Sequence, residues 1–233
     1  MHFKDALSRE GVNIIAEFKR ASPSLGDIDV AADPVAKAKI YEQGGAAAMS
    51  VLCDAARFKG SVEDLRRVAA SGAKIPLLAK DFISEKERLR EVKDAGASAA
   101  LLIVRYLDDE KLSELLAEAH GLGLDALVET HSEEEIKRAV AVGADIIGVN
   151  CRDLSNFTVD VSISERLLRA IPDGIVKVAE SGIKTSADIA RLRAAGANAF
   201  LIGTTLMKSK DPLNELRKLV NTTTTQPPNH PTT

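Results

Sequence analysis

One short pattern recurs along the chain and limits the possible folds more than any other feature. It is seen in "DAGASAALLIV" (94–104), "AVGADIIGVN" (141–150) and "RAAGANAFLIG" (193–203), with a looser copy in "EQGGAAAMSVL" (42–52). Each copy contains a glycine, which suits a left-handed helix C-cap, followed closely by an apolar run. Each copy therefore predicts the end of a helix and the start of a buried strand.

Shorter apolar runs lie between these copies and bring the number of predicted strands to eight. The predicted strands lie near residues 12–16, 46–52, 75–79, 98–104, 124–128, 145–149, 175–179 and 198–202. Strands that are apolar throughout, rather than alternating, are typical of parallel sheets buried on both faces. Most of the segments between them have the pattern of amphipathic helices. Four of these begin with Ser or Thr followed closely by an acidic residue, the signature of a capped helix start: 61–71, 84–96, 132–143 and 185–196.

Strict alternation of strand and helix, eight times over, predicts a single-domain (β/α)8 TIM barrel in the α/β class. We assign residues 1–220 to this barrel. An open, doubly wound sheet is the alternative, but the glycine fingerprint G-x-G-x-x-G is absent after the first predicted strand. The last thirteen residues, "NTTTTQPPNHPTT" (221–233), have three prolines and no apolar periodicity, which predicts a disordered tail.

The composition argues against several kinds of partner. Thirty-one Lys and Arg residues against thirty-four Asp and Glu give a net charge of −3, so a nucleic-acid partner is not expected. No apolar stretch reaches about 18 residues, and "MHFKDALSREG" lacks the apolar core of a signal peptide. Two cysteines provide neither a disulfide framework nor a zinc-ligand spacing. We predict a cytoplasmic protein without a membrane partner, present as a monomer or weak homo-oligomer.

Polar residues or glycines follow every predicted strand, whereas the strand beginnings are plain. In a (β/α)8 barrel, catalytic groups lie at the C-terminal ends of the strands. This asymmetry therefore predicts an active site at that end of the barrel. The residues concerned are Glu17, Lys19, Ser50, Lys80, Asp81, Arg105, Glu129, Asn150, Arg152, Glu180, Ser181, Gly203 and Thr204.

The first predicted strand ends in two opposite charges. Glu17 and Lys19 are two residues apart, so on a strand they point to the same side, about 7 Å from each other. We expect both to enter the barrel mouth, with Phe18 turned toward the helices. Such a pair is costly to desolvate unless it meets partners or a ligand. The alternative is mutual neutralisation, but Lys80 and Glu129 add a second cation and a second carboxylate, which favours a functional site.

The last two predicted strands carry a separate signal. The segments "AESGI" (179–183) and "LIGTTLM" (201–207) each place a small residue or glycine just beyond a strand. Backbone N–H groups in such loops, with a helix N-terminus nearby, form the phosphate cradle after strands seven and eight of many barrels. Ordinary tight turns are the alternative for either motif alone.

Cysteine and histidine offer weaker candidates. Cys151 lies beside Asn150, but we find no histidine at a strand end to activate it, so an unreactive buried thiol is expected. Cys53 is interpreted in the same way. The histidines fall at helix edges or termini, and we predict no metal site.

Taken together, these motifs resemble the indole-3-glycerol-phosphate synthase family of tryptophan biosynthesis. The resemblance runs from about residue 3 to about residue 220, without most of the N-terminal extension that the family usually carries. The segments that carry it are "IIAEFKRASPS", "SVLCDAARFKGS", "LLAKDFI", "LVETHSEEE", "IGVNCRDL", "VAESGI" and "LIGTTLM".

This resemblance implies a small-molecule phosphosugar substrate, 1-(2-carboxyphenylamino)-1-deoxyribulose 5-phosphate, and no cofactor or metal. It implies that Lys80 is the general acid of ring closure, tuned for proton transfer by apolar surroundings and nearby cations. Glu129 is the implied acid/base of dehydration, and Lys19 holds anionic groups and shares the acid role. Glu17 and Asn150 orient hydroxyl groups and stabilise developing charge.

The resemblance also implies three sets of binding residues. Ser22, Ser50 and Arg152 bind the substrate, Leu52, Phe58 and Phe82 contact its aromatic ring, and Ser181, Gly182, Gly203 and Thr204 bind its phosphate. The loop "CDAARFKG" (53–60) departs from the family, which commonly has Thr and a more aromatic sequence there, but Phe58 is kept.

Two other functions fit a phosphate-binding barrel. Another phosphosugar barrel, such as phosphoribosylanthranilate isomerase or an epimerase, is one; for an isomerase of that type we expect a Cys near the end of the first strand and a late Asp. Lys19 and Lys80 stand here instead. A non-catalytic or impaired barrel used as a scaffold is the other, but Glu17, Glu129 and Asn150 are all present.

Overall fold

The computed structural model describes residues 2–152 and 160–222, which include a closed barrel of eight parallel strands. Ten strands occur in this part of the chain: β1 (Asn13–Phe18), β2 (Ala21–Ser22), β3 (Gly26–Asp27), β4 (Ala48–Leu52), β5 (Leu77–Lys80), β6 (Ala99–Ile103), β7 (Asp125–Thr130), β8 (Ile146–Asn150), β9 (Val176–Glu180) and β10 (Ala199–Ile202). The short strands β2 and β3 pair with each other as a hairpin after β1. The others pair in chain order, and β10 closes on β1.

Helices connect these strands and surround the barrel. In the same part of the chain they are α1 (Phe3–Leu7), α2 (Pro34–Gln43), α3 (Ala55–Phe58), α4 (Val62–Ala70), α5 (Lys86–Asp94), α6 (Asp109–Gly121), α7 (Glu133–Ala141), α8 (Val161–Ala170), α9 (Ser186–Ala194), α10 (Thr204–Lys208) and α11 (Pro212–Val220), with a 3-10 turn at Val104–Tyr106. None of these helices is long and apolar enough to cross a membrane. The (β/α)8 prediction is therefore confirmed. The predicted tail lies, from residue 223 onward, outside the described residues.

Glycines end several helices in the manner that the recurring pattern predicts. Gly45, Gly96, Gly143 and Gly196 have φ angles of 86°, 96°, 82° and 103°. This left-handed region strains residues that carry a Cβ, so glycine is the natural choice there. Each of these glycines turns the chain from a helix into the next barrel strand.

Strand β1 shows why the strand sequences are apolar throughout. Ile14, Ala16 and Phe18 belong to the large core between barrel and helices. Ile15 points the other way, into the core inside the barrel. Because both faces of this strand are covered, its residues from Ile14 to Ala16 are all apolar rather than alternating with polar ones.

Helix α1 closes the opposite end of the barrel. Its Phe3 and Leu7 are fully buried and belong to the core inside the barrel. The backbone N–H of Lys4 donates to Asp125 Oδ2 at 2.9 Å, and the Lys4 ammonium lies 3.0 Å from Asp145 Oδ1. These contacts fix α1 beneath β7 and β8, so the N-terminal end of the barrel is sealed by packing.

Three of the four predicted helix caps are present, and one is wrong. The side chains of Ser61, Ser132 and Thr185 accept hydrogen bonds from backbone N–H groups at the starts of α4, α7 and α9. Helix α5 begins later than predicted, with Glu85 rather than Ser84 at its cap. Asp81 anchors this loop instead, because it accepts from the Phe82 N–H and from Arg88 in the first turn of the helix.

The capping box of α9 offers a test of local stability. Thr185 Oγ1 accepts from the Asp188 N–H at 3.2 Å, and Asp188 Oδ2 accepts from the Thr185 N–H at 2.8 Å. Replacing Thr185 with Ala should lower the free energy of unfolding by about 1 kcal/mol, because the helix start loses its cap. Urea unfolding measures the change. Thr185→Ser should retain most of the stability, and Ser186→Ala, one residue along, should change little; equal losses in all three variants would contradict the role of the cap.

Candidate active site

Four charged side chains meet at the mouth of the barrel. Lys80 Nζ lies 2.9 Å from Glu129 Oε2 and 2.5 Å from Glu180 Oε2, and Glu17 is near enough to add to the field at Lys80. The side chains of Lys80, Glu129 and Glu180 are only 12%, 6% and 1% exposed. One buried ammonium therefore lies among three glutamate side chains.

The barrel geometry explains how residues so far apart in sequence meet. Glu17, Lys80, Glu129 and Glu180 lie on β1, β5, β7 and β9, which are alternate strands of the barrel. Inward side chains from alternate strands form one layer of four in this fold. We call these four residues the charged layer.

Glycines on the intervening strands leave room for the charged layer. A Cβ on Gly148 of β8 would lie 2.2 Å from Glu180 Oε1, and a Cβ on Gly203, just after β10, would lie 2.3 Å from Glu17 Oε1. Neither distance is possible without displacing a carboxylate. The two glycines are thus part of the site through the space they leave open.

Lys80 does not have the surroundings that the sequence suggested. We expected apolar neighbours and nearby cations, which would favour loss of its proton. Burial does act in that direction, but the carboxylates of Glu129, Glu180 and Glu17 outweigh it and raise the pKa of Lys80 above its usual range. The expectation was wrong because the layer brings three acids to one lysine, and Lys80 is a firmly held cation in the ligand-free protein.

The two glutamates that contact Lys80 have opposite protonation tendencies. Burial, together with repulsion from Glu129, raises the pKa of Glu180 to about 8. Burial also opposes ionisation of Glu129, but Lys80 and His131 lower its pKa below the usual range. The two acids are therefore driven apart, with the proton favoured on Glu180 and the negative charge on Glu129. Pairs of acids driven apart in this way can serve as base and acid.

Glu180 and His131 are the residues that sequence reasoning missed. Glu180 lies at a predicted strand end but is not among the predicted catalytic residues, and the sequence predicts His131 at a helix edge. His131 in fact follows β7 directly, with Nε2 3.3 Å from Glu129 Oε1, so the statement that no histidine lies at a strand end was wrong. The signal was present in "ETHSEEE" (129–135), where a histidine stands two residues after a candidate acid.

Glu17 and Lys19 pair with each other at 2.7 Å, and both side chains are largely buried. Phe18 lies in the outer core with the Arg20 guanidinium 5.0 Å above its ring. Mutual neutralisation therefore occurs, but Glu17 also faces Lys80. Lys19 is linked to the charged layer through this pair.

Asn150 joins the charged layer to the loops after β8 and β9. Its amide Nδ2 donates to Glu129 Oε1 at 3.2 Å, and its Oδ1 accepts from Ser181 Oγ at 2.9 Å and from the Arg152 N–H at 3.1 Å. Arg152 reaches back to the loop after β1, where its Nη1 is 3.4 Å from Ser24 Oγ. Ser22 Oγ in turn lies 3.5 Å from Ser24 Oγ.

The predicted phosphate loops lie side by side. Ser181 and Gly182 have φ angles of 68° and 75°, a left-handed pair that is unusual for serine. Gly203 stands before Thr204, the first residue of α10. The hydroxyl of Thr205 donates to the Ile183 carbonyl at 2.9 Å and so ties the two loops together.

The predicted aromatic-ring residues are only partly brought together. Phe82 is 36% exposed and stacks edge-on against Tyr106, with the Arg57 guanidinium 4.1 Å above its ring. A cavity of about 230 Å³ is lined by Arg57, Phe82, Ile83, Ser84, Ile103 and Tyr106. Leu52 is buried and Phe58 half-buried, and neither lines this cavity.

The remaining candidate residues show no sign of chemical activation. Ser50 is fully buried on β4 opposite Glu17, and its hydroxyl has no hydrogen-bond partner among the described residues. Burial raises the pKa of the Cys53 thiol to about 12 and also raises that of Cys151, so both thiols stay protonated at neutral pH. In residues 2–152 and 160–222, no group of three His, Cys, Asp or Glu side chains is arranged to hold a metal ion.

A buried acid–base cluster at the C-terminal mouth of a (β/α)8 barrel defines a barrel enzyme. Comparison with known proteins narrows this class. Residues 1–219 match the family model described as indole-3-glycerol phosphate synthase. A protein of that name from Streptomyces griseus is 49% identical over 92% of this chain and 80% of the relative, and one from Nocardioides sp. is 47% identical over 94% and 82%. The chain belongs to the indole-3-glycerol phosphate synthase family.

Solved structures support the fold alone. Thiamine phosphate pyrophosphorylase from Pyrococcus furiosus superposes with a TM-score of 0.66 at 14% identity, over 95% of this chain and 97% of that one. A mandelate oxidase superposes with a TM-score of 0.61 at 18% identity, over 81% and 65%. Family membership favours the synthase function, and no finding favours the isomerase, epimerase or scaffold alternatives.

Gly148 provides a test of the charged layer that changes none of its charged residues. Gly148→Ala should push the Glu180 carboxylate away from Lys80 and lower kcat/KM for synthase activity by about tenfold or more, with a loss of about 1–3 kcal/mol in unfolding free energy. Gly121→Ala is the matched control, because a Cβ there meets open space at an ordinary φ. Unchanged kcat/KM in Gly148→Ala would show that the position of Glu180 does not matter.

Proposed function

We propose that this protein is a carbon–carbon lyase of the carboxy-lyase class. It converts 1-(2-carboxyphenylamino)-1-deoxyribulose 5-phosphate into indole-3-glycerol phosphate, carbon dioxide and water, without a cofactor. The observation that carries this proposal is the Lys80 ammonium held between Glu129 and Glu180 at the barrel mouth. The match of residues 1–219 to the synthase family supports the choice of substrate.

The reaction needs both an acid and a base. The ring carbon that bears the carboxylate attacks the ketone carbon, and the ketone oxygen takes up a proton as the new carbon–carbon bond forms. Loss of carbon dioxide returns the bonding electrons to the ring. Loss of the new hydroxyl group as water then needs a proton donor for the leaving oxygen and a base for a proton of the adjacent carbon.

We assign the first proton transfer to Lys80, which donates to the ketone oxygen. Because carboxylates hold the proton on Lys80, the ammonium has to exchange at least one of them for the substrate. Glu180 aids this exchange, because as a carboxylic acid at neutral pH it leaves Lys80 without breaking a full ion pair. Glu180 can also return a proton to Lys80 after the transfer.

Glu129 is the base of the dehydration step. Lys80 and His131 keep it ionised, so it can accept a proton, and its position beside Lys80 places both groups against the same part of the substrate. Asn150 orients a substrate hydroxyl group through the amide that now contacts Glu129. Glu17 and Lys19 hold the polar chain and the anionic groups of the substrate, and Lys19 shares the acid role.

The binding residues surround this centre. We assign the phosphate to the backbone N–H groups of Ser181, Gly182, Gly203 and Thr204, whose loops are joined through Thr205. Ser22, Ser50 and Arg152 contact polar groups of the substrate. Leu52, Phe58 and Phe82 contact its aromatic ring.

The rise of indole fluorescence on incubation with the substrate tests this function directly. The chain contains no Trp, so the protein adds no indole fluorescence of its own to the signal. Heat-denatured protein is the control. A catalysed rise supports the proposal, and a trace indistinguishable from the control at micromolar protein would overturn it.

Lys80→Met tests the assigned acid. It should lower kcat by about 10² or more, because the side chain is needed mainly in the transition state. Lys86→Met is the matched control: Lys86 forms a surface ion pair with Glu114 and lies outside the site. A decrease of less than about threefold in Lys80→Met would show that the acid is misassigned.

A further inference from the structure

His131 lies between two carboxylates, one inside the charged layer and one outside it. Its side chain is 3% exposed. Nε2 is 3.3 Å from Oε1 of Glu129, and Nδ1 is 3.1 Å from Oε2 of Glu135 in the first turn of α7. The imidazole therefore connects the proposed base of the reaction to a helix start.

Glu135 is itself firmly held. Its Oε2 accepts from the backbone N–H of His131 at 2.7 Å, its backbone N–H donates to Ser132 Oγ at 3.2 Å, and its Oε1 lies 3.3 Å from Nε of Arg105. Because two of these contacts fix the Glu135 carboxylate and the third fixes its backbone, the ring of His131 has a defined orientation. A second carboxylate that orients a histidine in this way also sets which ring nitrogens carry protons.

The charged groups around His131 favour its cationic form. Glu129 faces it from β7 and Glu135 from α7, while Lys80 and Arg105 stand behind these two carboxylates. Burial lowers the pKa of His131, but the two carboxylates outweigh this and raise it to about 9. Both ring nitrogens therefore carry protons at neutral pH.

The contact between His131 and Glu129 is not a complete hydrogen bond. Nε2 is buried and lies at ion-pair distance from Glu129, but it lacks the geometry of a hydrogen bond. A buried donor without an acceptor is unfavourable, so a small movement of Glu129 toward His131 is favourable. The same carboxylate already bridges the two cations, because its Oε1 faces His131 and its Oε2 faces Lys80.

We propose that His131 is a positioning residue for the reaction, an imidazolium held by Glu135 that takes over Glu129 when Lys80 turns to the substrate. This inference rests on the proposed roles of Lys80 and Glu129. It answers a difficulty in those roles: even after Glu180 gives way, turning Lys80 toward the substrate loosens its contact with Glu129, and that buried carboxylate then needs another cation beside it. His131 supplies the second cation without touching the substrate.

Glu135→Gln is the sharpest test, because it leaves His131 and the whole charged layer in place. The variant loses one of the two carboxylates that keep His131 protonated, so the pKa of His131 should fall by a unit or more. The imidazolium is then lost at lower pH, and the alkaline limb of the kcat–pH profile should move down with it, while KM changes by less than about threefold. Glu134→Gln is the matched control, since that side chain is 76% exposed on the same turn.

Two readouts decide between positioning and mere structural support. NMR titration of the imidazole signal of His131 should give a pKa near 9 in the unmodified protein and Glu134→Gln, and a lower value in Glu135→Gln. His131→Gln, which keeps a donor but no charge, should lower kcat by about tenfold at pH 7. A His131 signal that titrates near 6.5, or a Glu135→Gln profile that superimposes on that of Glu134→Gln, would overturn the proposal.

A further variant distinguishes failure of this inference from failure of the proposed function. Glu129→Gln tests the base itself: full activity in that variant would overturn the role of Glu129. An inactive Glu129→Gln with unshifted profiles in Glu135→Gln would overturn the role of His131 alone. If His131→Gln does not fold, Glu135→Gln still decides, because its titration and its pH profile do not depend on the other variant.

Discussion

The burial of the Lys80 ammonium among three glutamate side chains is the interaction on which the site depends. Removing such charges from water is strongly unfavourable, and only close, well-oriented partners compensate for it. The partners here come from β1, β7 and β9, so a closed barrel is needed to bring them together. Glu180 can accommodate the gain or loss of a proton in this layer, because burial and repulsion from Glu129 raise its pKa to about 8. Burying these ionisable groups close together is energetically unfavourable, and the same closeness favours proton transfer between them.

Much of this arrangement could be predicted from the sequence. Apolar runs and capped helix starts reveal the alternation of strand and helix. The predicted strand ends reveal Glu17, Lys80 and Glu129, because packing alone does not require charged residues at these positions. The angle and stagger of the strands leave no such trace. They decide which ends share a layer, and hence that Lys80 faces acids rather than apolar groups and cations.

The missed residues have related causes. Glu180 was visible as a charge but not as a partner of Lys80, because that pairing links residues one hundred positions apart. His131 was read as part of the following helix, since nothing local indicates that β7 carries its ring back toward Glu129. Tyr106 lies in a 3-10 turn that the strand–helix alternation does not predict, yet it packs against Phe82.

The order of the charged layer along the chain has a consequence for the barrel as a whole. The N-terminal half contributes Glu17 and Lys80, and the C-terminal half contributes Glu129 and Glu180. The Lys80 ammonium of the N-terminal half thus stands between the two acids of the C-terminal half, 2.9 Å from Glu129 and 2.5 Å from Glu180. Without it the two acids would face each other with only His131 beside Glu129, and their ionised forms would repel. The charged layer therefore links the two halves of the molecule electrostatically, and the strength of this link depends on the protonation of its acids.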